Sequence, residues 1–191
     1  MAMEPERAQL GFILNQQEIA NKLLRYWTDF AHWIRALYIS TMYGLNNREP
    51  IRSRLMRNAE DFAEIIRTYY GDETGRKYEK IITDLYEDLF QMSEALYRRD
   101  TETAARLNDA LYSGLDDMVV LLKSINRNLD EEGLRKWLYE LLYLALEEAV
   151  MIYADEYEES VQQSDKIVNL AAKIAEEMAY QLTRQIQFGN S

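Results

Sequence analysis

Residues 19–45 read IANKLLRYWTDFAHWIRALYISTMYGL, and their spacing decides the fold. Apolar side chains recur at Ala20, Leu23, Leu24, Trp27, Phe30, Ala31, Ile34, Leu37, Tyr38 and Met42. Steps of three and four mark one face of an α-helix. Tyr26, Trp33, Ala36 and Tyr43 widen that face. A helix apolar over so much of its circumference needs neighbours on several sides. One ridge stays polar, Arg25, Thr28, Asp29, His32 and Arg35, and it carries the single histidine of the chain. Residues 134–153, LRKWLYELLYLALEEAVMIY, form a second stretch of the same kind.

Working outward, the 191 residues contain only seven Gly and two Pro. Folds rich in turns need more of both, so long helices with short connections are expected. Nearly half the residues are apolar, enough for one domain with a real core. There is no cysteine, which removes disulfides and thiolate metal sites. No secretory leader pattern opens the chain, and no run of about 18 uncharged apolar residues suggests a membrane span. A soluble, cytoplasmic protein is expected. The formal charge is −11, which disfavours nucleic acid, whose binders need a positive field.

The spacing predicts six helices in one bundle domain over residues 16–187, after a lead-in at 1–15, where Pro5 and Gly11 argue against helix. Residues 188–191 should fray. Helix one runs from about Gln16 to Gly44. Pro50 opens helix two, which ends near Tyr70 with Gly71 as a left-handed cap. Helix three is placed at Arg76 to Arg99, after a loop from Gly71 to Gly75. Asp100 or Thr101 caps helix four, which reaches Ile125, and Asp130 caps helix five, Leu134 to Tyr153. The acidic tail Asp155-Glu156-Tyr157-Glu158-Glu159 follows, and Ser164 or Asp165 starts helix six. Short connections make successive helices antiparallel neighbours, with helices one and five most buried. A weak internal repeat aligns Leu55, Asn58, Asp61, Ile65 and Ile66 with Leu111, Gly114, Asp117, Leu121 and Leu122. Chance similarity between amphipathic helices produces such a match equally well.

Few constellations could carry chemistry. A di-metal carboxylate centre in a bundle needs Glu-x-x-His pairs, and the chain has none. A mixed set of His32, Asp61, Glu147 and Glu148 is the nearest substitute. No nucleophile elbow and no phosphate-cradling glycine loop is present. Asn58 and Asp61, three residues apart, share one helix face beside Leu55 and Phe62. They read as a hydrogen-bond network fixing helix register or as part of a ligand site. Arg48, Arg52, Arg54 and Arg57 crowd the start of helix two and could bind an anion. The leading reading is that they are partly neutralised by Asp155, Glu156, Glu158 and Glu159 at the same end of the bundle.

At His32-Trp33-x-Arg35-Ala36-Leu37, Arg54-Leu55-x-x-Asn58-x-x-Asp61 and Tyr69-Tyr70-Gly71-Asp72-x-x-Gly75, the chain resembles a group of uncharacterised small all-helical proteins from Gram-positive soil and spore-forming bacteria. The resemblance implies the same helical fold. Members of the group carry further histidines on the third, fifth and sixth helices. Asp88, Leu141 and Leu170 stand at the corresponding places here, so only His32 matches. Any metal or ligand function of those histidines is then lost.

The expectation is an all-α, up-down bundle of about six antiparallel helices. It acts without catalysis, through contact with a protein partner or as a homo-oligomer. The alternative is a ligand- or metal-binding bundle with a polar interior pocket of His32, Arg35, Asn58, Asp61, Asp117 and Glu147. No cofactor and no membrane are expected.

Overall fold

The computed structural model describes the backbone of residues 4–188 and the side chains of residues 16–182. Six helices follow one another: α1 (Glu4–Met42), α2 (Arg48–Tyr70), α3 (Asp72–Arg98), α4 (Thr101–Ile125), α5 (Glu131–Tyr153) and α6 (Tyr157–Phe188). No strand occurs among the described residues, and no described helix is long and apolar enough to cross a membrane.

Consecutive helices pack on one another, and α6 closes the ring onto α1. Inside the ring α1, α3 and α5 also touch pairwise. The odd helices therefore form an inner triangle, and each even helix lies in a groove between two of them. The broad apolar faces of α1 and α5 suit that position. So does the α3 stripe Tyr78, Ile82, Leu85, Leu89 and Met92, all buried. The expectation that helices one and five are the most buried does not hold for α5, which buries eight of its 23 residues, as many as α2, because every helix meets at least two neighbours. Tyr26, Trp27, Phe30, Phe62 and Tyr86 form an aromatic cluster between α1, α2 and α3. Trp27 meets Phe62 edge-on at 5.1 Å between centroids, and Phe30 stacks on Tyr86 at 5.6 Å. Such pairs each add about 0.5–1.5 kcal/mol beyond their area burial.

The N-caps of α4 and α5 form as their residue types require, whereas the Asn47 side chain before α2 accepts from Ser40 Oγ instead. The Asp100 carboxylate accepts from the Thr103 N–H and the Asp130 carboxylate from the Gly133 N–H, each at 3.0 Å. Three turns at one end, after α1, α3 and α5, share one pattern. Gly44, Arg99 and Asp155 adopt positive φ of 60°, 56° and 62°. The N–H one residue further on then donates to the carbonyl five residues back: Leu45 to Ser40, Asp100 to Ala95 and Glu156 to Met151. This closes orphan carbonyls at each helix end. Only Gly44 does so without a Cβ penalty of about 1–2 kcal/mol.

Helix α1 ends at Met42 and α2 begins at Arg48, two residues before the expected Pro50, and three other boundaries differ further from expectation. Helix α1 begins at Glu4, so most of the lead-in is helical. Pro5 falls in the first turn, where its missing N–H has no helical acceptor, and one glycine costs a helix only about 1 kcal/mol. Helix α3 begins at Asp72, because Gly71 alone turns the chain, at φ 87° and ψ 166°. Gly75 serves packing instead: a Cβ there would lie 2.7 Å from Arg67 Cβ and 3.0 Å from its Cα. Helix α6 begins at Tyr157, so Glu158 and Glu159 sit in its first turn. Carboxylates are favourable beside that positive dipole end, and the acidic run opens a helix rather than lengthening a loop. Residues 189–191 of the expected frayed end lie outside the described residues.

Candidate functional site

The six residues of the expected polar pocket do not converge. His32 is exposed on α1. Asp61 borders a shallow surface hollow with Tyr26, Glu64 and Tyr69. Asp117 is exposed on α4, across a surface cleft from Asp84 and Asp88. Glu147 accepts from the Tyr143 hydroxyl and, at 3.0 Å, from Gln163 Nε2. The mixed metal set of His32, Asp61, Glu147 and Glu148 is likewise dispersed. No three described His, Asp or Glu residues gather closely enough to hold a metal. At the middle of the bundle lies an apolar cavity of about 50 Å³, bordered by Phe30, Phe62, Leu85, Leu115 and Leu142. Leu141 borders the same cavity, and Leu170 is also buried in the core.

Arg35 and Asn58 are the two predicted residues that reach the interior, in separate networks. Arg35 Nη1 donates to Glu148 Oε1 at 2.5 Å and to the Ser160 carbonyl at 3.1 Å, while Nη2 reaches Ser160 Oγ at 3.3 Å. One guanidinium thus joins α1 to α5 and to the first turn of α6. Glu148 is fully buried, and its Oε2 has no hydrogen-bond partner. Burial raises its carboxyl above the ordinary carboxylate value, and Arg35 and Ser164 oppose the rise. The Tyr38 hydroxyl is also buried without a partner. Burial, then Tyr153, then Glu148 hold it well above the usual tyrosine value.

A smaller network joins the three inner helices. Ser93 Oγ of α3 donates to Thr41 Oγ1 of α1 at 2.8 Å and lies 2.7 Å from the Tyr153 hydroxyl of α5. Burial pushes Tyr153 up to about 12.

Asn58 is buried with both ends of its amide satisfied. Its Nδ2 donates to the Tyr26 carbonyl at 3.1 Å, and its Oδ1 accepts from the Tyr86 hydroxyl at 2.6 Å. This is the register-fixing network that its place beside Leu55 suggested. Asp61 takes no part in it.

The arginine cluster is largely neutralised, though not by the acids of the α5–α6 turn. Arg48 pairs with Glu94, Arg52 with Glu87, and Arg54 with Asp29 at 2.6 Å. Arg48 and Arg52 also cover the Phe90 ring, and Arg54 the Trp33 ring. Arg57 is exposed. Three of the four proposed anion ligands thus belong to helix–helix contacts. The reason is register: Glu87, Glu94 and Asp29 face α2 from its two inner neighbours.

One surface feature stands apart. A groove of about 460 Å³ runs along the C-terminal half of α5, beside the N-terminal half of α4. Met92 and Leu96 of α3 form part of its lining, with Ala104 and Asn108 of α4 on one side. Tyr143, Leu146, Val150 and Met151 line the α5 side, and Glu147 and Glu156 border it. Tyr143 and Val150 are each 53% exposed. The sequence signal is faint: on so apolar a helix, periodicity alone does not separate the outward Tyr143 and Val150 from the core. No protein-family model, curated protein or solved structure matches the chain.

Proposed function

We propose that this bundle acts without catalysis, by holding a protein partner in the groove between α4 and α5. The observation that carries the reading is the groove itself, where methionine, leucine, valine and tyrosine side chains meet solvent together. A contiguous exposed apolar strip marks an interaction surface more often than chance, and tyrosine and methionine are enriched at the centres of interfaces. The polar groups inside the bundle support the same reading, because most of them are engaged in tying helices together.

Light scattering and affinity capture from native cells, run in parallel on the wild type and Val150→Glu, test it. Val150 is exposed, so the substitution leaves the core intact. A partner or second copy bound by the wild type and lost by the variant supports the reading. A monomer that captures nothing, or capture indifferent to Val150→Glu, overturns it.

A further inference from the structure

Resting on that reading, we infer that the occupant of the groove is a basic amphipathic helix of another protein. The groove follows α5 from Tyr143 to Met151, about 12 Å at about 1.5 Å per residue. Two turns of a partner helix match that length and present one set of anchors at i, i+3 or i+4, and i+7. Met151, half-buried on the α5 side, is a flexible side chain that adapts to the shape of such anchors, over a floor that includes buried Met92.

The charge around the groove selects the partner. Both ionisable residues that line it besides Tyr143 are carboxylates, Glu147 and Glu156, and no lysine or arginine lines it. Glu147 is held in place by Gln163 and Tyr143. Exposed Glu158 and Glu159 follow Glu156 in the first turn of α6. Two arginines of the same end are turned to another acid, Arg48 and Arg98 both pairing with Glu94 on the side of α3 facing α2, while exposed Arg99 sits in the turn after α3. Arg106 lies near Asp88, whose carboxyl is raised by burial and by Asp84 against the pull of that arginine. A second copy is a poor occupant. Two-fold pairing sets each surface against itself, so these carboxylates would meet their own equivalents in a chain of charge −11, and like charges across an interface oppose binding.

The test is a titration of the full chain, at physiological salt, with three labelled peptides read by fluorescence anisotropy. One is a Leu/Lys amphipathic helix, one a Leu/Glu helix with the same apolar face, and one the Leu/Lys composition scrambled so that no apolar face forms. The Leu/Lys helix should bind at least about ten-fold tighter than either control. Val150→Lys, outside the core, should lose at least about ten-fold of that affinity with the helical spectrum unchanged. Glu156→Lys, in an exposed turn, should weaken the Leu/Lys helix and strengthen the Leu/Glu helix.

Equal binding of the scrambled peptide, indifference to Val150→Lys or no binding at all overturns the inference. So does a dimer of the wild type that Val150→Lys splits. Equal or tighter binding of the Leu/Glu helix overturns the basic partner alone and leaves groove-mediated contact standing. That contact fails separately, if native capture ignores Val150→Glu.

Discussion

Asn58 and Glu148 are both fully buried polar residues on helical core stripes, and the molecule treats them in opposite ways. Asn58 is neutral and gives each end of its amide a partner, the Tyr26 carbonyl and the Tyr86 hydroxyl. Glu148 is a carboxylate held by Arg35 on one oxygen, with only the nearby Ser164 side chain besides to offset its burial. A satisfied neutral pair contributes modestly and cheaply. A buried ion pair balances a large desolvation cost against a large attraction, and its net stabilisation is small even though each half depends on the other. The difference is one of vulnerability. Removing a partner from Asn58 leaves a dipole stranded; removing Arg35 strands a charge.

The largest expected effect therefore lies at Arg35. Arg35→Met keeps the apolar stem and leaves Glu148 buried without a counter-charge. The loss should be about 3–5 kcal/mol at pH 7, the usual consequence of breaking a buried pair from one side, read from urea denaturation. The pH dependence follows from the raised carboxyl of Glu148. A folded state that binds this proton more readily than the unfolded chain is favoured below the unfolded pKa, and that advantage is lost as pH rises through the folded value. Without Arg35 the rise is greater, so the deficit of the variant should shrink as pH falls from 7 towards 5. Glu73, Asp100 and Asp116, whose carboxyls are lowered by Lys77, Thr103 and Arg135 respectively, have the opposite slope. They are common to both proteins and cancel in the difference. A deficit that is the same at both pH values would break the comparison.

Asn58 comes next. Asn58→Leu fits an apolar surrounding but strands the Tyr86 hydroxyl, and about 1–3 kcal/mol should be lost. The loss should not change between pH 5 and 7, because nothing titrates there: burial holds the Tyr86 hydroxyl far above that range. Tyr86→Phe added to Asn58→Leu should recover part of the loss, since removing both partners leaves fewer groups unpaired. A double-mutant cycle measures the recovery. Fully additive losses would mean that the hydrogen bond between them carries no coupling.

The two sites also differ in how they show in the sequence. Asn58 announces itself as a polar residue on the stripe Leu55, Ala59 and Phe62, and its role as a helix-register bond was readable. The Glu148 signal was there too: it follows Leu138, Leu141 and Ala145 at steps of three and four, with Ile152 one turn on. It was masked by its neighbour Glu147, which looked like an equal candidate and which the helix turns outward. The partners of both are beyond periodicity. Nothing local says that Arg35 meets Ser160, because that contact depends on α6 beginning at Tyr157 instead of Ser164. The six-helix bundle itself was legible, since apolar spacing and scarce turn residues determine helices and short links. The inner triangle was not, because which helices touch across the centre is set by packing among three broad faces.

The smallest expected effect sharpens the comparison most. Glu148→Gln removes the buried charge and keeps a carbonyl oxygen for Arg35. Arg35 is not stranded by this, because its side chain is 22% exposed and it retains the Ser160 carbonyl. The pair is thus asymmetric: one end is sealed in the core and the other reaches water. Stability at pH 7 should stay within about 1 kcal/mol of the wild type, because a neutral hydrogen bond of that order replaces a pair whose attraction and desolvation nearly cancel. The part of the pH slope due to Glu148 should vanish, so the wild type gains on the variant as pH falls from 7 towards 5. If Glu148→Gln proved as damaging as Arg35→Met, the carboxylate would be contributing net stability, and the contrast with Asn58 would collapse into two networks of the same kind.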